Sequence, residues 1–124
     1  MDYELSNRQK QICLAAREFA EGEFPKYAKE GDSNEIFPEE LRKKASELGL
    51  IGVYIEKEYG GAGLGCLEHS LIMEEFWRVD QGCGNILLTC AGSEIIQMFG
   101  TEEQKKKYLP LIAKGQAISC TAAT

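Results

Sequence analysis

The chain has 124 residues, 44% of them hydrophobic, so it is long enough for one domain with its own core. Its net charge of −6 argues against nucleic acid or an anionic membrane surface as the main partner. No apolar run approaches the roughly 20 residues of a membrane span, and residues 1–5 do not resemble a signal peptide. We therefore expect a cytoplasmic protein whose five cysteines are reduced and mostly buried.

The first predicted helix begins with a capping box formed by Ser6 and Gln9. Apolar residues recur at helical spacing through 12–20, and charged residues occupy the opposite face. Pro25 is expected near the end of this helix. The polar stretch 29–35 is expected to form a loop.

A second, short helix is predicted from Pro38, which suits the first helical position. Its apolar stripe begins at Leu41, and Gly49 suits a left-handed stop. Residues 50–55 form an apolar run that is compatible with a strand or with a buried turn. The glycine-rich stretch 58–65 is predicted to be a loop.

Three further helices are predicted. One covers about 64–80, and the next covers about 82–99 and is apolar on nearly every side. A helix with so little polar surface is expected at the centre of a bundle. The last begins with a capping box of Thr101 and Gln104, and Pro110 should kink or stop it.

The last residues differ in character from the rest of the chain. Segment 117–124 contains β-branched residues without helical periodicity, which predicts the start of a strand. Because one strand without a partner is not a stable ending, we expect the chain to be truncated there. The predicted fold is all-α, a bundle of about five helices over 1–116, followed by the first strand of a middle β domain over 117–124.

The sequence can be compared with the requirements of three kinds of site: a metal pair, a nucleophile triad and a phosphate site. A carboxylate-bridged metal pair needs Glu-x-x-His motifs, but the single histidine, His69, directly follows Glu68. A nucleophile triad using His69 stays open, although a lone histidine beside an apolar face is usually structural. The loop 60–65 lacks the Gly-Lys-Ser/Thr ending of a phosphate loop, and the lysines 105–107 are more typical of a solvated face than of a phosphate site. No metal site and no catalytic residue is predicted.

Three segments, taken together, resemble the acyl-CoA dehydrogenase family. The first is Leu-Gly-Leu-Ile-Gly at 48–52, leading into Glu-Tyr-Gly-Gly-Ala-Gly-Leu at 58–64. The second is Gly-Thr-Glu-Glu-Gln-Lys-Lys-Lys-Tyr-Leu-Pro at 100–110, through Gly115, and the third is 117–124. They occur in the family's order and spacing and cover nearly the whole chain. One departure is that Glu56 and Lys57 replace the proline usual before the glycine loop.

The resemblance implies a protein with an N-terminal helical domain, a middle β domain and a C-terminal bundle. Such proteins hold FAD between subunits and domains and usually form homotetramers. They oxidise an acyl-CoA thioester to the trans-2-enoyl-CoA, as oxidoreductases acting on CH–CH donors, and pass electrons to an electron-transfer flavoprotein. The glutamate base lies in the C-terminal domain of most members, so the catalytic base is expected to be absent from this chain.

Two groups of residues match family positions. The flavin contacts implied by the resemblance are Thr121, Ala122, Ala123 and Thr124. The acyl-pocket residues implied by it are Cys83, Gly84, Leu87 and Leu88. An apolar acyl chain needs an apolar slot, but these four residues are equally compatible with simple packing of the bundle. The alternative for the whole chain is a stand-alone helical module that binds a partner through an exposed face.

Overall fold

Helices dominate the computed structural model, which describes residues 3–35, 37–88 and 90–122. The described part contains six α-helices, one short 3₁₀ helix and no strand, which confirms the all-α class. No helix within it is both long enough and apolar enough to cross a membrane. The helices are α1 (Asn7–Asn34), α2 (Glu39–Glu47), α3 (Cys66–Val79), α4 (Gln81–Leu87), α5 (Cys90–Phe99) and α6 (Glu102–Ala113), and the 3₁₀ helix is Lys57–Tyr59.

Helix α1 begins with the predicted capping box, in which the Gln9 N–H donates to Ser6 Oγ at 3.2 Å. Its predicted end near Pro25 and the predicted loop 29–35 were wrong, because the helix continues to Asn34. A proline inside a helix costs about 3 kcal/mol. The neighbouring Phe24 is fully buried, so tertiary packing outweighs that local cost.

The turn after α2 resolves the ambiguity over residues 50–55. Helix α2 is followed by Gly49 at φ +69°, as predicted, and the apolar run forms a buried turn rather than a strand. The glycine loop folds back on this turn, since the Gly63 N–H donates to the Ile55 carbonyl at 2.8 Å. A Cβ added at Gly61 would overlap that same carbonyl, so only glycine fits there.

The prediction of one central helix over 82–99 was wrong. The structure has two helices, α4 and α5, and Ala91 and Gly92 have non-helical backbone angles, with φ +93° at Gly92. Residues near the end of α5 are exposed, with Phe99 at 78%. The apolar pattern therefore corresponds to a position inside the bundle for α4 but not for the end of α5.

The centre of the bundle lies between α1 and α3 instead. Phe19, Phe24 and Phe76 pack their rings against one another, with centroids 5.2–6.0 Å apart. A second, smaller core joins the glycine loop to α6 through Ile55, Tyr59, Leu109, Ile112 and Ala113. Helix α6 has the predicted capping box and passes through Pro110 without stopping there.

Candidate functional site

A cleft of about 500 Å³ lies between α5, α6 and the segment 117–122. Most of its lining is aliphatic or aromatic. The residues that line it are Gly92, Ile95, Ile96, Tyr108, Ile112 and 117–122. The predicted flavin-contacting segment therefore borders an apolar cleft rather than lying on a flat surface.

The segment 117–122 is held against the helices at its start. Gly115 has φ +68°, which turns the chain back after α6, and the Ala117 N–H donates to the Leu111 carbonyl at 3.1 Å. Further along, a Cβ added at Gly92 would lie 3.1 Å from the Cys120 carbonyl oxygen. The absent side chain of Gly92 thus lets this segment approach the kink in α5 closely.

Two of the four predicted flavin contacts can be placed. Thr121 and Ala122 are exposed and line the cleft, whereas Ala123 and Thr124 lie outside the described residues. The described part of the predicted strand, 117–122, has no regular secondary structure. A β-strand forms its hydrogen bonds with a neighbouring strand, and the described residues contain no strand. The predicted start of a second domain at residue 117 therefore stays a prediction.

The four predicted acyl-pocket residues all lie on or beside α4. Cys83 and Leu87 belong to the large core, with exposures of 3% and 0%. Gly84 is buried, and a Cβ added there would overlap the indole of Trp77. Leu88 is half-buried and packs against the same core. In this structure the four residues pack the bundle, and contact with an acyl chain stays a prediction.

Cys83 also borders a second cleft, of about 550 Å³, between α1 and the start of α4. Asp80 caps α4 by accepting a hydrogen bond from the Cys83 N–H at 2.8 Å. Burial, reinforced by Asp80, raises the pKa of the Cys83 thiol to about 12. This thiol is therefore protonated at neutral pH and unsuited to nucleophilic chemistry.

The other cysteines only partly match the sequence prediction. Those whose side chains are described are free thiols. Cys66 and Cys120 are exposed, so the expectation that the cysteines are mostly buried was wrong for them. Cys66 is the first residue of α3, and Cys120 lies in the irregular segment at the rim of the open cleft.

His69 lies half-buried on α3. Burial lowers its pKa, and the nearby Glu94 opposes that shift. One carboxylate oxygen of Glu94 is buried without a hydrogen-bond partner in the described part of the protein. Among those residues no group of three or more histidine, cysteine, aspartate or glutamate side chains could hold a metal ion.

The sequence interpretation missed Arg42, which is only 3% exposed. Its guanidinium donates to the carbonyl of Ile86 at 2.7 Å, of Ala117 at 3.0 Å and of Gly115 at 3.4 Å. Burial lowers its pKa. A signal was present in the sequence, since Arg42 lies three residues before Ala45 on the apolar side of α2.

The family model for the acyl-CoA dehydrogenase N-terminal domain matches residues 6–116. The chain belongs to the acyl-CoA dehydrogenase family. The predicted resemblance is thereby confirmed over all of the helical part of the chain.

Individual members of the family agree with this assignment. The chain is 40% identical, over all of its length, to the short-chain-specific acyl-CoA dehydrogenase of Clostridium acetobutylicum, and covers 33% of that protein. It is 38% identical to acryloyl-CoA reductase (NADH) of Anaerotignum propionicum, again over its whole length and 32% of the relative. An acyl-CoA dehydrogenase from Bacillus anthracis, solved in complex with FAD, superimposes with a TM-score of 0.85 at 36% identity, over 94% of this chain and 21% of that one. The chain thus spans about a third of the length of the curated relatives that it matches.

Proposed function

We propose that this chain is the N-terminal helical part of a flavin-dependent acyl-CoA dehydrogenase. The observation that carries the proposal is the match of residues 6–116 to that domain. The helical domain then covers 1–116, and 117–124 is the first strand of a middle β domain. The similarity to a solved dehydrogenase in complex with FAD supports FAD as the cofactor.

The complete protein would convert an acyl-CoA thioester to the trans-2-enoyl-CoA. The α-carbon loses a proton to a base, and the β-carbon loses a hydride. FAD, when bound, supplies the acceptor for that hydride, and the two electrons leave to an electron-transfer flavoprotein. The base lies outside this chain, in the C-terminal domain, and the complete protein assembles as a homotetramer.

This chain contributes two surfaces to that reaction. Thr121 and Ala122 fit a flavin contact, because they are exposed at the rim of a largely apolar cleft and offer a hydroxyl and backbone groups. Ile95 and Gly92 line the same cleft and are proposed to lie beside the flavin ring. The second contribution is the group Cys83, Gly84, Leu87 and Leu88 on and beside α4, which supplies apolar side chains for the acyl slot of the complete protein.

A reaction in the opposite direction is the second candidate function. One relative, at 38% identity, is named acryloyl-CoA reductase (NADH), and reduction of an enoyl thioester is the reverse of the proposed dehydrogenation. The two directions need the same slot and the same alignment with a flavin. Two assays of the complete protein distinguish the directions. Turnover of a saturated acyl-CoA with an electron acceptor indicates dehydrogenation, and turnover of an enoyl-CoA with NADH indicates reduction.

The test of the proposed function uses the complete protein that contains this chain. We expect it to purify with one FAD per subunit and its flavin absorbance to bleach when an acyl-CoA is added anaerobically. A well-folded complete protein without flavin would overturn the proposal. The DNA after the Thr124 codon separates the dehydrogenase from the stand-alone helical module. The family resemblance implies that the strand runs on into a Glu-Pro and a Gly-Ser-Asp segment, so that continuation supports the dehydrogenase, and a stop codon supports the module.

A further inference from the structure

Arg42 joins three parts of the chain that are far apart in sequence. It extends from α2, and its guanidinium hydrogen-bonds the carbonyl of Ile86 in α4 and the carbonyls of Gly115 and Ala117 after α6. The first of these segments carries the predicted acyl-pocket residues. The last leads directly into the predicted flavin-contacting residues. One side chain therefore hydrogen-bonds the backbone within α4, beside the predicted acyl-pocket residues, and the backbone that leads to the predicted flavin contacts.

The anchor of this side chain is rigid. Leu41 and Ala45, on either side of Arg42 in α2, are fully buried in the large core. The chain after α6 also packs on α2, since a Cβ added at Gly115 would lie 3.4 Å from the Ser46 Cβ and 3.5 Å from the Arg42 carbonyl oxygen. The guanidinium is thus carried by a part of α2 that is packed on both the large core and the chain after α6.

A buried cation is costly unless its hydrogen bonds are satisfied. Here the acceptors in the described structure are main-chain carbonyls rather than a carboxylate. The Ile86 carbonyl lies in the last turn of α4, where helix carbonyls lack partners within the helix and carry partial negative charge. The planar guanidinium of arginine donates hydrogen bonds in two fixed directions at once. The ammonium of lysine does not have this geometry.

We propose that Arg42 is a positioning residue that fixes the segment 117–122 relative to α4, and so aligns the flavin with the acyl chain. The proposal rests on the proposed function for its catalytic consequence. Its structural part, the clamp between α2, α4 and the segment after α6, stands on this chain alone. The two parts are tested separately.

The clamp is tested by hydrogen exchange on the 124-residue chain. In Arg42→Met the apolar stem is kept and the three hydrogen bonds are lost. We expect the Gln116, Ala117 and Leu88 amides to exchange about tenfold faster or more. Arg17→Met is the matched control, because Arg17 donates to Glu75 on the α1–α3 face and should change exchange only there. Exchange at these three amides equal to that of the parent would overturn the clamp.

The catalytic consequence is tested in the complete flavoprotein, with rates expressed per bound FAD. Because a misplacement of about 1 Å between reacting groups costs roughly a hundredfold, we expect Arg42→Met to lower kcat about tenfold to a hundredfold. The KM for acyl-CoA should change less than kcat, and FAD should be released faster. Arg42→Lys keeps the charge, so its kcat and its rate of FAD release should lie between those of Arg42→Met and the parent. It replaces Arg42→Met in this test if the methionine variant does not fold.

A purely structural Arg42 gives a different result. Both variants would then lower Tm, while kcat per bound FAD and FAD release would stay within about twofold of the parent. That result would overturn the proposal. If the complete protein neither binds flavin nor oxidises any acyl-CoA, the proposed function fails, and the exchange experiment still decides the clamp.

Discussion

Glycine residues in this chain differ in what surrounds the α-carbon, and Gly61 and Gly22 are opposite cases. A Cβ at Gly61 would overlap the backbone carbonyl of Ile55 in the buried turn. Gly22, inside α1, has nothing within 4 Å of such a Cβ. The two positions are therefore expected to respond to alanine in opposite directions.

We predict that Gly61→Ala lowers the free energy of unfolding by about 1–3 kcal/mol, as overpacking does. Gly22→Ala should raise it by about 0.5–1 kcal/mol, because alanine suits a helix interior better than glycine. Urea unfolding of the two variants measures both values. A stabilised Gly61→Ala variant would show that the loop does not pack on residue 55 as described.

Gly84 and Trp77 form a second pair in which the absence of one side chain makes room for another. Leucine at position 84 must displace the indole, so we predict that Gly84→Leu costs about 1–3 kcal/mol. The same change made together with Trp77→Ala should cost measurably less, since contacting residues couple in a double-mutant cycle. Thermal unfolding of the parent, the two single variants and the double variant gives the coupling free energy between positions 77 and 84. Additive changes in stability would contradict the contact between Gly84 and Trp77.

The same pair offers a test of the acyl slot in the complete dehydrogenase. We predict that Gly84→Leu shifts its preference towards shorter acyl chains, by roughly tenfold to a hundredfold in kcat/KM between chain lengths. Trp77→Ala is the comparison variant, since it opens the space that leucine would occupy. A chain-length profile identical to that of the parent would show that position 84 does not line the slot.

Single residues with local roles were predictable from sequence. The capping boxes at Ser6 and Thr101 and the stop at Gly49 depend on neighbours within four residues, and the structure confirms all three. The roles of Arg42 and Gly61 depend on the positions of distant carbonyls. Such contacts leave at most a weak trace in the local pattern, which is why the sequence interpretation did not find them.

At the scale of helices, the errors have a common cause. Local signals placed the end of α1 near Pro25 and joined α4 to α5, and tertiary packing reversed both predictions. The buried Phe24 holds α1 together across the proline. Gly92 adopts a positive φ, and the Cys120 carbonyl packs closely against it. Periodicity alone carries no information about either contact.

The packing of α1 on α3 includes an ion-pair cluster with a predictable pH response. Glu75, which is 7% exposed, accepts from Arg17 at 2.6 and 2.9 Å and from Arg78 at 3.2 Å. The hydrogen bonds from Arg17, together with the weaker effect of the one from Arg78, lower the pKa of Glu75 against the opposing effect of burial. Its carboxylate form is therefore more favourable in the folded chain than in the unfolded one.

A group with a lowered folded pKa stabilises the fold above its unfolded pKa, which is about 4.3 for glutamate. That stability is lost as the pH falls from there through the folded pKa. We predict that Glu75→Gln flattens the dependence of unfolding free energy on pH below about 4.5 and leaves its shape at pH 6–8 unchanged. Glu23→Gln, at a more peripheral pair with Lys26 and Lys44, is the comparison. Identical acid profiles for Glu75→Gln and the parent would contradict the prediction.

At the scale of the whole molecule, the α5 side of this chain is unusually apolar for a free surface. Ile95, Met98 and Ile118 are 49%, 64% and 60% exposed, and Phe99 is 78% exposed. Contiguous apolar surface of this kind is typical of an interface. It borders the cleft beside 117–122, and the chain spans only about a third of its curated relatives. Both observations agree with the proposal that the flavin site is completed by parts of the protein beyond this chain.

The chain by itself should therefore fail to hold the cofactor, and this is the prediction at the largest scale. Of the predicted flavin contacts, the described structure places only Thr121 and Ala122 at the cleft, both exposed. A neutral hydrogen bond contributes a net of about 0.5–1.5 kcal/mol, whereas micromolar binding needs about 8 kcal/mol. A few such bonds at one edge of an open cleft fall short of that value.

We expect the purified chain, mixed with FAD and passed through a desalting column, to emerge without flavin absorbance and to oxidise no acyl-CoA. The complete protein, carried through the same column, is the positive control and should retain its FAD. Because the catalytic base is proposed to lie elsewhere, even excess FAD should not restore turnover to the isolated chain. Stoichiometric yellow protein that bleaches with acyl-CoA would mean that both the cofactor site and the base reside in these 124 residues.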